Sequence, residues 1–157
     1  MTQPVQFEHI DVGHELPALR LTLSSAAVRD YALAARMPAG RFTSDEEARA
    51  EGLPGQIVPG NMSLALFARL IAASLPGTTL KRLSATFRAL VHPGRALVVH
   101  GVVTEKHCTD HGDLLECDLV IESADGDRWV TGTATVLVPG SGSRGSGVRG
   151  LGSVTET

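Results

Sequence analysis

The hydrophobic pattern along the chain changes period near residue 80. In LKRLSATFRALVHPG, which begins there, Leu83, Ala85, Phe87, Ala89 and Val91 alternate with Arg82, Ser84, Thr86, Arg88 and Leu90. That period of two predicts a half-buried strand closed by a Pro93-Gly94 turn. RALVVHGVVTEKH reads as a second strand, and HGD at 111–113 as a hairpin turn. DLLECDLVIES is a third strand, with Leu115, Cys117, Leu119 and Ile121 on one face. ADGD turns the chain into RWVTGTATVLVP, where Val130, Ala134, Val136 and Val138 share a face.

Upstream the period is helical, after one short strand, LRLTL, at 19–23. SSAAVRDYALAAR offers Ser24 or Ser25 as an N-cap, and Pro38 and Gly40 end that helix. TSDEEARAEG predicts a compact helix capped by Thr43 or Ser44, with Asp45, Glu46 and Glu47 in its first turn and Gly52 at C′. A loop of Pro54, Gly55, Pro59 and Gly60 then leads into NMSLALFARLIAASL, from Asn61 to Leu75, whose only charge is Arg69. A helix apolar on most of its circumference must be enclosed. The sheet that follows is the available enclosure, so the predicted fold class is α+β, an antiparallel sheet wrapped around a central apolar helix. One sheet covers one side of such a helix, and dimerisation is the natural completion. After Pro139, GSGSRGSGVRGLGSVTET is Gly/Ser-rich and reads as a flexible tail, which divides the chain into a domain at 1–139 and a tail at 140–157.

Composition narrows the function classes. A chain of 157 residues with 43% apolar and 20% charged residues has the makings of one globular core. The net charge of −3, without an evident basic stripe, gives no case for nucleic acid or a membrane surface. No apolar run approaches a membrane span of about 18 residues. MTQPVQFEHIDVG lacks the basic and apolar regions of a secretory signal. Cys108 and Cys117 flank the expected hairpin, where they could be cross-strand neighbours, and read as reduced thiols of a cytoplasmic protein. His107 and His111 lie near Cys108, but without a paired C-x-x-C unit no zinc site is expected.

Five stretches in order resemble the MaoC-like (R)-specific enoyl-thioester hydratases and dehydratases of the hot-dog superfamily. They are FEHIDVGHELPAL, VRDYALAAR, DEEARAEGLPGQIVPGNMSLAL, FRALVHPGRALVVHGVVTEK and GDRWVTGTATVLV, within residues 6–138. The resemblance implies a hot-dog fold and an acyl thioester substrate carried by CoA or a carrier protein. It implies no cofactor and no metal, and a homodimer or a heterodimer with another hot-dog chain.

The family's chemistry uses an Asp and a His in a D-x-N-P-x-H motif, since hydration delivers a hydroxyl to one carbon and a proton to the next. The corresponding segment here is RMPAGRFTSDEE. Counted from Tyr31, the two positions are Met37 and Phe42; counted back from Asp45, they are Pro38 and Thr43. Neither count gives an Asp-His pair. The turn into the central helix keeps its physical use, with free backbone N–H groups around Gly60, Asn61 and Met62 where the helix dipole favours negative charge. The resemblance places substrate binding there, at Gly60, Asn61, Met62 and Ser63.

The candidate catalytic residues are Asp45 as a displaced base, Asn61 and Tyr31. Each has a structural reading beside the functional one: Asp45 as a first-turn helix acid, Asn61 as an N-cap, Tyr31 as a core or interface residue. His9, His14, His92, His100, His107 and His111 have no partners that mark a base. Two functions remain, a hydratase or dehydratase with an altered active site, or a non-catalytic subunit paired with a catalytic hot-dog chain. A thioesterase fits less well, because residues 61–75 hold no Asp or Glu.

Overall fold

A computed structural model describes residues 2–140 of the chain, so the Gly/Ser-rich segment beyond Pro139 lies almost wholly outside the described residues. Strand β1 (Glu15–Thr22) is followed by helices α1 (Ser25–Ala34) and α2 (Asp45–Ala50). Helix α3 (Gly60–Ser74) comes next, then β2 (Thr79–Phe87), β3 (Ala96–Thr109), β4 (Gly112–Ser123) and β5 (Arg128–Val138). The strands form one antiparallel sheet in the order β1-β3-β4-β5-β2. α3 packs on the face of that sheet, against β1, β2 and β3.

β4 and β5 bury their expected faces, whereas on the expected face of β2 Leu83 and Ala85 are half-buried and Phe87 is exposed. Leu115, Cys117, Leu119 and Ile121 of β4 are at most 1% exposed, and Val130, Ala134, Val136 and Val138 of β5 are equally closed. They meet Met62, Leu66, Phe67, Leu70 and Ile71 of α3 in a single core. Burial of apolar area of this kind is the dominant stabilising contribution. The opposite side of α3, with Ala65, Arg69, Ala72 and Ala73, is exposed. The helix is therefore covered on one side only by its own sheet.

The helix caps follow local chemistry. Ser24 Oγ accepts the Ala27 N–H at the start of α1, and Ser44 Oγ accepts the Glu47 N–H at the start of α2. Gly52 ends α2 with a φ of 86°, a left-handed conformation that glycine adopts without steric cost.

Several boundaries differ from the sequence expectation. β1 begins at Glu15 rather than Leu19 and carries a register shift between Leu16 and Leu19. β2 stops at Phe87, because the N–H groups of Arg88 and Ala89 both turn to the Trp129 carbonyl. The β3–β4 hairpin turns at Asp110 and His111, with Thr109 paired to Gly112. Cys108 stands opposite Asp113 and Cys117 opposite Val103, so the two thiols are not cross-strand neighbours. Cys108 is exposed and Cys117 buried.

Candidate functional site: the mouth of helix α3

α3 begins at Gly60 with Pro59 in the cap position and no side-chain cap. Asn61 lies one position inside the helix, so it is not the N-cap that its residue type suggested. The Pro59 carbonyl accepts from both Met62 N–H (3.0 Å) and Ser63 N–H (3.3 Å). The N–H groups of Gly60 and Asn61 find no acceptor among the described residues. These two donors, at the positive end of a fifteen-residue helix, are what the mouth offers an oxyanion or a polarised carbonyl.

Two side chains flank the donors. Asn61 Nδ2 lies 3.1 Å from Met37 Sδ, which brings the segment after α1 against the helix mouth. On the other side stands Phe87, at the end of β2. A methyl group placed on Gly60 would lie 2.9 Å from the Phe87 ring, so the space that glycine leaves open is filled by an aromatic edge. Phe87 is nonetheless 50% exposed. The mouth is thus a pair of N–H donors between a thioether and a phenyl ring. Met37 is the residue at the Asp position when the motif is counted from Tyr31, so a thioether occupies the place where the resemblance would put a carboxylate. A thioether neither takes nor gives a proton in this range.

The loop that delivers the chain to Gly60 is held by Gln56, whose importance nothing in the sequence marks. It is 2% exposed and bonds to four segments. Its Nε2 donates to the carbonyls of Phe42 (2.8 Å) and Ser25 (3.2 Å), and its Oε1 accepts from Ser25 Oγ. Its backbone N–H donates to Asp45 Oδ1 at 2.8 Å, and its carbonyl lies 2.8 Å from His92 Nδ1. Two facing acceptors cannot bond, so the His92 proton sits on Nδ1. Val58 N–H donates to the Val91 carbonyl at 2.7 Å, which ties the loop to the segment after β2.

The remaining candidates fall as follows. Asp45 is exposed and its carboxylate is engaged by the Gln56 N–H. Tyr31 is half-buried and packs against the core. Met62 and Ser63 are buried, together with Leu66 and Phe67. Phe42 lies in a short 3-10 turn with Arg41 over its ring at 5.7 Å. Of the candidates, Gly60 and Asn61 come together at the mouth; Asp45 belongs to the loop network and Tyr31 to the core.

His100 points away from α3, on the outer face of the sheet, with its Nε2 3.3 Å from Glu122. It lines a groove of about 700 Å³ there with Arg20, Arg128, Asp118 and Glu122, remote from the mouth. His107 pairs with Glu105 at 3.1 Å. Burial, with help from Glu116 and Asp118, pushes the Cys117 thiol up to about 11, which leaves it an unreactive core group at neutral pH. Among the described residues no cluster of His, Cys, Asp or Glu has the makings of a metal site, and no helix is long and apolar enough to cross a membrane.

No family model and no curated protein matches the sequence. Solved structures match in shape. R-hydratase PhaJ1 from Pseudomonas aeruginosa superposes with a TM-score of 0.76 at 20% identity, over 85% of this chain and 84% of its own. The MaoC-like dehydratase from Rhodospirillum rubrum gives 0.75 at 20% identity, over 85% and 96%. A chain of the ChsH1-ChsH2 complex from Mycobacterium tuberculosis gives 0.72 at 22% identity, over 82% and 98%. At such identities the likeness is one of fold.

Proposed function

We propose that this chain, which has the hot-dog fold of the MaoC-like dehydratases and (R)-hydratases, binds acyl thioesters at the mouth of α3 and does not hydrate them on its own. The observation that carries the reading is the pair of unengaged N–H groups at Gly60 and Asn61, set between Met37 and Phe87. A thioester carbonyl is a good acceptor for two such donors, and a soft, apolar wall suits its sulfur and acyl carbons. What hydration requires in addition is an acid and a base within reach of the adjacent carbons. Met37 and Phe42 hold neither. Asp45 is committed to Gln56, and the imidazole of His92 to the same residue's carbonyl.

The role that fits a binding site without a proton-transfer pair is that of a subunit. The chain shapes one acyl site and pairs with a second hot-dog chain that carries the Asp and His. The ChsH1-ChsH2 structure, a complex of two chains, is a precedent for pairing within this fold. No cofactor and no metal enters the reading, since carbonyl binding needs neither.

The test uses trans-2-enoyl-CoA esters of several chain lengths and the isolated chain. Binding, followed by calorimetry, is expected without loss of the conjugated thioester absorbance. Replacing Gly60 by Val is expected to abolish binding while the circular dichroism of the fold persists. Turnover by the isolated chain at rates ordinary for enzymes, about 1–1,000 per second, would overturn the subunit role. Unchanged binding by the Gly60→Val variant would overturn the site.

A further inference from the structure

Met37 takes proton chemistry out of the mouth of α3 and brings a different reactivity to it. Its Sδ meets Asn61 Nδ2 at 3.1 Å, beside the unengaged N–H groups of Gly60 and Asn61. A thioether is a weak acceptor and leaves those donors free. Of the three side chains and ring edges around them, Met37, Asn61 and Phe87, a mild two-electron oxidant converts the thioether alone. The product is a sulfoxide, whose oxygen is strongly polar where the thioether was not.

Both access and anchoring favour this sulfur. The sequence has three methionines, Met1, Met37 and Met62. Met62 is closed within the core at 9% exposure, whereas Met37 is half-buried and its neighbour Asn61 is exposed. Met1 lies outside the described residues. The backbone of Met37 is pinned by the turn that ends α1. Arg36 takes a left-handed φ of 56°, the Arg36 N–H donates to the Leu33 carbonyl at 3.1 Å, and the Met37 N–H donates to the Ala32 carbonyl at 2.7 Å. A fixed backbone thus carries a side chain with three rotatable bonds, which can re-aim its end over the mouth.

We propose that Met37 is a modification site: a hydroperoxide oxidises its thioether, and the sulfoxide oxygen takes the free N–H groups of Gly60 and Asn61 and closes the mouth to thioesters. The inference rests on the thioester reading of the mouth and specifies how that site is regulated. In the step, the sulfur lone pair attacks the terminal oxygen of the hydroperoxide. The S–O bond forms as the O–O bond breaks, and sulfur gives up two electrons. The proton of that oxygen passes to the departing hydroxide or alkoxide, which leaves as water or an alcohol. The new oxygen stands at the positive end of a fifteen-residue helix, where negative charge density is favoured. Being part of the same chain, it competes with a diffusing thioester at high effective concentration. Methionine sulfoxide is returned to the thioether by reductases, so the closure is reversible.

The experiment uses the full chain carrying Cys108→Ser, because the exposed thiol would otherwise consume the oxidant, while Cys117 is closed in the core. Phe87 at the mouth is in register with Val130, Ile121 and Val99, and Cys108 lies further along β3, roughly 30 Å from Val99, so the change does not touch the mouth. Hydrogen peroxide is added in steps, and sulfoxide at each methionine is followed by peptide mass spectrometry. Amide exchange at Gly60 and Asn61 is read by NMR, and binding of a trans-2-enoyl-CoA by calorimetry on the same samples. Met37 is expected to oxidise well before Met62. With it, exchange at the two amides slows and enoyl-CoA affinity falls, each about tenfold. In a Met37→Leu chain neither readout is expected to respond to peroxide, whatever its starting affinity. Oxidation of Met62 ahead of Met37 would overturn the proposal. So would amides at Gly60 and Asn61 that exchange as fast after full oxidation of Met37 as before, or an equal response from Met37→Leu. Should the untreated chain bind no thioester, the reading of its function falls, and the amide exchange still decides whether the sulfoxide takes the two donors.

Discussion

Gln56 is a single polar side chain closed off from water at the centre of the loop that leads to α3. Replacing it by Leu removes its bonds to the Ser25 hydroxyl and to the Ser25 and Phe42 carbonyls, and with them the ties that hold the loop to α1 and to the segment before α2. Such losses cost about 2–4 kcal/mol, and a shift of the urea midpoint without a change in slope is the expected reading. Gly60 and Phe87 form the second residue-scale test. Gly60→Ala forces the Phe87 ring aside, since the added methyl would lie 2.9 Å from it. The ring is half-exposed and can swing outward, so the cost is expected to stay within about 0.5–1 kcal/mol, and Phe87→Ala in the same chain is expected to remove it in a double-mutant cycle. Cys117 supplies the third. Its folded-state pKa, about 11, lies above the ordinary thiol value of 9.0, so burial of the neutral thiol stabilises the fold fully below about pH 9. That contribution, on the order of 2 kcal/mol, is lost as pH rises from 9 toward 11. Cys117→Val, compared with wild type by urea unfolding across that range, is expected to show the shallower decline. At this scale the caps of α1 and α2 were legible, because Ser24 and Ser44 act through the next few residues. The N-cap reading of Asn61 fails, because α3 begins one residue earlier, at Gly60 with Pro59 in the cap position. Gln56 was invisible, because its partners come from four separate segments.

The elements themselves were the most legible layer, as period decides them. The alternation in β4 and β5 named the buried residues correctly down to Cys117 and Ala134. The end of β2 was not legible, because it depends on Trp129, a residue forty positions away whose carbonyl takes two N–H groups. α2 is short enough that its cap matters in proportion. Ser44→Ala is expected to cost about 1 kcal/mol. The loss would appear locally, as faster amide exchange at Glu47 and Ala48, with α3 unaffected. Helix α3 also shows why the site was only half visible. Its mouth could be placed from Pro59 and Gly60, but what stands around it comes from α1's exit and from the end of β2. Those neighbours are set by tertiary packing and leave no local signature.

For the whole molecule, an antiparallel sheet around one helix followed from the pattern, while the order of its strands did not. Nothing in the sequence says that the last strand lies between the fourth and the second, with β2 relegated to the edge. That order has a consequence for how the chain is made. β2 has no sheet partner until β5 is complete, and Thr79 pairs with Leu137, a residue far along the chain. During synthesis α3 and β2 leave the ribosome long before the strand that will hold them, with an apolar helix and an unpaired strand waiting in water. Long-range pairing of this kind is slow to form and open to capture meanwhile. A nascent chain stalled before Arg128 is expected to be cut readily within residues 60–90 by a protease added in trace. A chain stalled with Val138 clear of the tunnel is expected to resist, and equal cleavage of the two would show that α3 and β2 find shelter without β5. The last strand made is therefore the one on which the earlier ones depend, and the cell's chaperones meet this protein as a helix looking for a sheet.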